Sequence, residues 1–248
     1  MDAARASFFL FKKFWPEAID SVVFGTDKKP IDLNDFFENV VVVSDDAYSE
    51  RVRFSLDRIK TKYVILLLDD YFLSKPIDSS KVESLITTMK ENQVNYFKLI
   101  GLPKSFRGFK PYNGTYLIKS NTHYGISLQP SIWEVNFLKK ACKDSADSAW
   151  KFETNLAKLQ KEKTFKGIQY NTNFLAIKNG ILKGKLFPST NKFLQECGYS
   201  PLDRDTISFF SAIKFHISQK SISYIPNKVR FFLKKIARLF GKTFYTHN

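Results

Sequence analysis

The sequence predicts an α/β fold, a mainly parallel sheet flanked by helices, followed by a C-terminal helical appendage. Three observations support that expectation. Residues 63–68 (Tyr-Val-Ile-Leu-Leu-Leu) form an unbroken apolar run, the pattern of a central parallel strand covered on both faces. Two adjacent carboxylates, Asp69 and Asp70, stand where that strand should end. Around this run, strand-length apolar segments alternate with segments of helical period, the order expected of β-α units. The 248 residues, 44% hydrophobic and 16% aromatic, suffice for one large domain with an appendage and a substantial core.

In chain order, residues 7–14 read as a helix that ends before Trp15-Pro16, because a residue preceding proline avoids helical angles. Residues 21–24 form a short strand and 25–30 a polar loop. A β-branched strand covers 39–43 and closes on Ser44-Asp45-Asp46. That second acidic pair is assigned to N-capping, since a helix comes at once over 48–60 with Val52, Leu56 and Ile59 on one face. After strand 63–68 comes a helix over 80–92, with the stripe Val82, Leu85, Ile86, Met89 and a capping box of Ser80 and Glu83. A strand spans 96–102. Residues 103–121 are rich in Gly, Pro, Lys and aromatics without a period, as in a long functional loop. A strand over 124–129 leads to Pro130. Ser131 with Glu134 then forms a second capping box opening a helix over 132–142, with Trp133 in its first turn. Another helix runs 148–161. Residues 173–178 and 181–185 form a hairpin across Asn179-Gly180, the strongest short-range turn signal. There is no internal repeat.

Composition narrows the function. Cys142 and Cys197 are too few for a disulfide framework and lack metal-ligand spacing, which is compatible with a reducing cytoplasm. His123, His216 and His247 form no cluster, which argues against zinc. No run reaches the roughly 20 apolar residues of a spanning helix. Lys12, Lys13 and Pro16 interrupt the N-terminal stretch that a signal peptide would need. A net charge of +15 implies an anionic partner. After Asp205 there is no acidic residue, against eight Lys and Arg. The chain therefore divides into an α/β domain over 1–200 and a basic helical tail over 201–248.

From Pro226 the tail places Val229, Phe232, Leu233, Ile236, Leu239 and Phe240 on one helical face. Lys228, Arg230, Lys234, Lys235 and Arg238 fall on the other, with Phe231 interrupting the polar side. A basic amphipathic helix with aromatics suits an anionic membrane surface; Arg230, Phe232, Leu233, Lys234, Lys235, Ile236, Arg238 and Phe240 are the expected contacts. The high count of 25 phenylalanines fits apolar surface turned to a membrane or partner. A terminal helix docking its apolar stripe on the domain competes closely. Nucleic acid ranks below both and is not expected as a partner, because no recognised module accompanies the charge.

In open α/β sheets, ligands collect outside the carboxyl ends of strands. Two side-by-side carboxylates there push each other towards protonation, unless a hard divalent ion holding a substrate phosphate neutralises them. Alone, the Asp69-Asp70 dipeptide better fits a strand-end turn capped by Asp69. Its place after a buried strand favours a ligand site.

With Tyr63-Val64-Ile65-Leu66-Leu67-Leu68-Asp69-Asp70-Tyr71-Phe72, Tyr124-Gly125-Ile126-Ser127-Leu128-Gln129 and Trp150-Lys151-Phe152-Glu153, the chain resembles bacterial glycosyltransferases of the GT-A type. It looks most like the small, family-2-like enzymes of lipopolysaccharide and capsule biosynthesis, over roughly residues 7–187. The resemblance implies a GT-A-like (Rossmann-like) mixed, mainly parallel sheet. It also implies metal-dependent, inverting transfer of a sugar from a nucleotide-sugar donor to a hydroxyl of a growing glycan. The acceptor would be a glycan or lipid-linked glycan, and the location cytoplasmic, peripheral on the inner face of the cell membrane. Asp70, then Asp69, would hold Mn²⁺ or Mg²⁺ and the donor. Glu153 would be the base, with Asp147 and Asp144 behind it, although a first-turn glutamate is also favoured by the helix dipole alone. Trp150, Tyr71, Lys104 and Arg107 are candidate donor or acceptor contacts; Lys104, Arg107 and Lys110 fit solvated loop charges as well. The chain departs from the family in two places. Tyr71 stands at the third position of the Asp-X-Asp metal motif. Only Met1 to Ala6 precede the first helix, where the family has a nucleotide-gripping strand.

Two other classes stay open. One is a non-catalytic GT-A-like module that binds membrane or glycan. The other is a nucleotidyltransferase using the same carboxylates, although no Gly-rich phosphate loop is present.

Overall fold

The first helix is longer than its apolar stripe requires: α1 covers Asp2–Phe14 and buries Ala3, Ala4, Ala6 and Leu10. The computed structural model describes residues 2–27, 39–43, 47–101, 104–122 and 125–224. A 3₁₀ turn, Pro16–Ser21, follows the break at Trp15-Pro16. Strands β1 (Val23–Thr26) and β2 (Asn39–Val42) pair in parallel, and α2 (Tyr48–Asp57) buries Val52 and Leu56 as their spacing requires. Next come β3 (Tyr63–Leu66), β4 (Tyr71–Leu73), α3 (Ser79–Glu91), β5 (Tyr96–Lys98) and β6 (Thr115–Ile118). They are followed by β7 (Ser131–Glu134), α4 (Val135–Ala141), α5 (Ala149–Leu159), β8 (Gly167–Tyr170) and β9 (Ile177–Asn179). The last described elements are β10 (Ile181–Leu182), β11 (Lys185–Leu186), α6 (Thr190–Glu196) and α7 (Phe209–Tyr224).

The chain is thus mixed α/β, with a main sheet of order β3-β7-β5-β8-β6. Both β3 and β5 run against β7, and β8 runs parallel to β5. Strands β3, β5 and β8 therefore share one direction, which β6 and β7 oppose. Period-2 alternation gives the sheet two faces. On one, Phe97, Ile132 and Ile168 meet Leu85 and Met89 of α3. On the other, Tyr96 and Trp133 meet Phe137 and Leu138 of α4 and Phe152 and Leu156 of α5. A separate cluster joins α1, β4 and α6 through Leu10, Phe72 and Leu194.

Several expectations are corrected by this arrangement. Strand β3 stops at Leu66 and ends the described ladder, bonded to β7. It is therefore an edge of the described sheet rather than a central strand, and its cover is partial: Val64 and Leu66 pack against the α4–α5 cluster, Tyr63 and Ile65 against the α3 cluster, and of the four only Tyr63 is buried. Residues 131–134 are strand β7, and the helix begins at Val135. The Ser-x-x-Glu pattern coincides there with a strand whose Ile132 and Trp133 are both fully buried. Within 125–129 the chain forms bends, because side chains replace a neighbouring strand. Gln160 Oε1 accepts from the Ile126 N–H at 2.9 Å, and Glu153 Oε1 accepts from the Leu128 N–H at 3.1 Å. The long loop over 103–121 holds β6, and strand β8 has no counterpart among the expected elements. Helix α7 lies in the expected tail, ahead of the amphipathic segment that starts at Pro226.

The hairpin is displaced. Strand β9 pairs with β4, and β10 pairs with β11 across Lys183-Gly184. Both turn residues have positive φ, 51° and 80°, as a two-residue primed turn needs. The cap of α3 is Asp78, whose carboxylate accepts from the Lys81 N–H, with Ser80 donating its hydroxyl to the same carboxylate. At the start of the expected tail, Leu202 joins the α1–α6 cluster, the Ile207 N–H donates to the Leu186 carbonyl, and Arg204 forms a bidentate pair with Asp2. Among the described residues no helix is long and apolar enough to cross a membrane.

Candidate active site

Beyond the carboxyl end of β3, the apolar run continues through Leu67 and Leu68 into a turn that presents Asp69 and Asp70. Two backbone bonds fix the turn: the Tyr71 N–H donates to the Leu68 carbonyl, and the Gly180 N–H donates to the Asp70 carbonyl at 3.1 Å. Glycine suits the second, because a Cβ at position 180 would lie 2.2 Å from the Phe72 ring. The Asn179-Gly180 pair therefore clamps the acidic turn.

Asp69 sits at the exposed rim, and partial burial still raises its carboxyl. Asp70 lies deeper. Its Oδ1 is buried without a hydrogen-bond donor, and burial first, then the neighbouring Asp69 charge, pushes its carboxyl up to about 6. Both effects disfavour the ionised form.

Glu153 comes from α5, whose start is capped by Ser148 accepting from the Lys151 N–H. Burial raises its carboxyl, opposed by the Leu128 N–H and by Lys98. Lys98, at the end of β5, is completely buried. Burial holds its ammonium down to about 7, with Glu153 pulling the other way. Its strand neighbours in register are Ser131 and Gln169, also fully buried. The tyrosines bind these groups into one neighbourhood. Tyr48 of α2 feels Glu153, Asp69 and Asp70, and Tyr71 of β4 feels Asp70 and Glu153; burial is the main reason both hydroxyls are raised.

Asp69, Asp70 and Tyr71 therefore stand together on the acidic turn, while Glu153 meets them only through Tyr48 and Tyr71, which feel both sides. Other candidates fall elsewhere. Asp147 and Asp144 sit on the surface, ion-paired to Lys151 and Lys158. Lys104, Arg107 and Lys110 are exposed in the segment before β6. Trp150 is 63% exposed in the first turn of α5. The tail contacts Arg230, Phe232, Leu233, Lys234, Lys235, Ile236, Arg238 and Phe240, together with Tyr124 and Asp45-Asp46, lie outside the described residues. Sequence reasoning misses Lys98 and Tyr48; the available signal for Lys98 is a lone cation inside the apolar run 96–100.

The acidic turn fits a hard divalent cation, since Asp70 Oδ1 is a buried acceptor lacking a donor. No group of three or more His, Cys, Asp or Glu that could hold a metal occurs among the described residues. Asp69 and Asp70 would thus supply part of a coordination shell completed by water and ligand oxygens, the habit of Mg²⁺. No family model matches the chain, and neither does any curated protein.

Proposed function

We propose that this chain is a GT-A-like glycosyltransferase that moves a sugar from a nucleotide-sugar donor to a hydroxyl of a growing cell-surface glycan, with Mn²⁺ or Mg²⁺ and with inversion. The observation that supports this most is the unpartnered Asp70 Oδ1, set beside Asp69 beyond the carboxyl end of β3, with Tyr71 next to it feeling both Asp70 and Glu153. Asp70 and Asp69 would hold the cation, which when bound supplies Lewis-acid stabilisation to the departing diphosphate. Asp69, the more exposed of the two, would hold the donor's ribose or share the ion. Glu153 takes the acceptor proton: its raised carboxyl is closer to neutrality than an ordinary glutamate, which suits a general base. The Leu128 N–H orients that carboxylate, and Lys98 stabilises its charge. The Tyr48 and Tyr71 hydroxyls feel the charges of both Asp70 and Glu153 and are candidate donors to the bound ligand.

The acceptor belongs to a lipid-linked glycan, and the enzyme works as a peripheral protein on the cytoplasmic face of the cell membrane. The excess of positive charge after Asp205 supports that location. The test is a thermal-shift screen of UDP-, GDP-, CMP- and dTDP-sugars with and without Mn²⁺. A ligand specific to the folded state raises stability by about 2.7 kcal/mol at a hundredfold excess over Kd. The expected result is a Mn²⁺-dependent rise with one nucleotide class that Asp70→Ala abolishes. No rise with any donor would overturn the proposal.

A further inference from the structure

Helix α7 is pinned to the domain at its start. The Ile207 N–H donates to the Leu186 carbonyl, the Ser208 hydroxyl accepts from the Ser211 N–H at 3.2 Å, and the Ala212 N–H donates to the Ser208 carbonyl. One side of the helix packs inward: Ala212 is buried, and the Phe215 ring lies 5.4 Å from that of Phe187. The opposite side does not. Phe209 is 67% exposed, Phe210 83%, Ile213 39% and Ile217 58%. At 3.6 residues per turn these four fall within an arc of about 100°. Exposed Lys214 borders that arc.

An apolar helix face of this kind is not explained by scattered surface hydrophobics, because its residues are contiguous and include two phenylalanines. Charge identifies what covers it. From Thr206 to the end of the sequence there are eight Lys and Arg and no Asp or Glu. An anionic lipid surface complements both the apolar arc and the two lysines of α7, Lys214 at its border and Lys220 at an angular position within it, since an interfacial helix seats aromatics at the headgroup–acyl boundary while lysine stems reach the phosphates. We infer that the exposed face of α7 is a docking surface for an anionic bilayer, with Phe209, Phe210, Ile213 and Ile217 inserted and Lys214 at the headgroups. This rests on the membrane location proposed above and is independent of glycosyl transfer. It also differs from attachment through residues 226–240 alone.

The experiment is co-sedimentation of the full chain with vesicles of phosphatidylcholine, with and without phosphatidylglycerol. It compares the wild type, the combined variant Phe209→Ser, Phe210→Ser, Ile213→Ser, Ile217→Ser, and Asp70→Ala. The expected result is binding to the anionic vesicles only, weakened about tenfold or more in the combined variant. The melting temperature of that variant stays near the wild type because the replaced side chains are exposed. Equal binding by wild type and combined variant overturns the assignment of α7 and leaves attachment to the remaining basic segment. Absence of wild-type binding to either vesicle overturns both α7 docking and the membrane location. A concentration-dependent dimer that the combined variant abolishes, with vesicle binding unchanged, assigns the face to a second copy and also overturns it. Asp70→Ala binds vesicles like the wild type, so its loss of nucleotide-sugar binding is judged separately.

Discussion

The two faces of the main sheet come from alternate residues of the same strands, yet they differ in kind. Under α3 the layer is apolar, with Phe97, Ile132 and Ile168 against Leu85 and Met89. Under α4 and α5 it begins the same way, with the Tyr96 and Trp133 rings 4.4 Å apart. Towards the carboxyl ends of β3, β5 and β8 it turns polar: Lys98, Ser131 and Gln169 are fully buried, and Lys98 feels the Glu153 charge. One face therefore holds the fold together, while the end of the other keeps charges that stability alone would not select. Substitutions on the two faces should differ accordingly, in size and in sign.

The largest effect should come from the apolar face. Phe97→Ala should cost about 3–5 kcal/mol and Ile132→Ala about 2–5 kcal/mol in urea unfolding, and both should leave the pH dependence of the surviving fold unchanged. Gly180→Ala comes next, at about 1–3 kcal/mol, because its Cβ must displace the buried Phe72 ring. By moving the Asp70 carbonyl it should also weaken Mn²⁺ binding, unlike the core variants.

The polar end should behave in the opposite sense. Folding raises the Asp70 carboxyl from 3.8 to about 6, so the folded state holds that proton more tightly. Stability is lost as pH rises through this interval and stays lost above it. In metal-free buffer at neutral pH, Asp70→Asn should therefore be more stable than the wild type by about 2 kcal/mol, allowing for solvent screening. The advantage should vanish below the unfolded value. A melting temperature that falls instead would contradict this difference between the faces. The smallest effect is on Glu153. Lys98→Met removes a stabilising positive charge, so the Glu153 carboxyl should rise further and the acid limb of turnover against pH should move to higher pH. An unmoved limb would make Lys98 purely structural.

Local signals foretell most helices, because the stripes Val52–Leu56 and Val82–Leu85–Met89 follow from period alone. Strand partners are not legible: the Ser131–Glu134 segment satisfies a helix-capping pattern, and only its neighbours β3 and β5 decide that it is a strand. The Asn179-Gly180 turn signal fails for a related reason. Gly180 is needed against Phe72, while Lys183-Gly184 makes the hairpin turn. At the site, Asp69 and Asp70 can be singled out because paired carboxylates at a strand end are chemically conspicuous, whereas Glu153 is picked out only through the resemblance to GT-A enzymes. That Lys98 would be the buried neighbour of Glu153 depends on side-chain direction in β5 and on α5 packing over it, which no short-range pattern encodes.

The most direct measurement is electron paramagnetic resonance titration of Mn²⁺, in the presence and absence of nucleotide sugars, on the wild type and Asp70→Asn. A nucleotide sugar should strengthen Mn²⁺ binding in the wild type, and Asp70→Asn should abolish this despite its higher melting temperature. Mn²⁺ binding that ignores nucleotide sugars, or that survives Asp70→Asn unchanged, would contradict a metal-dependent donor site at the acidic turn.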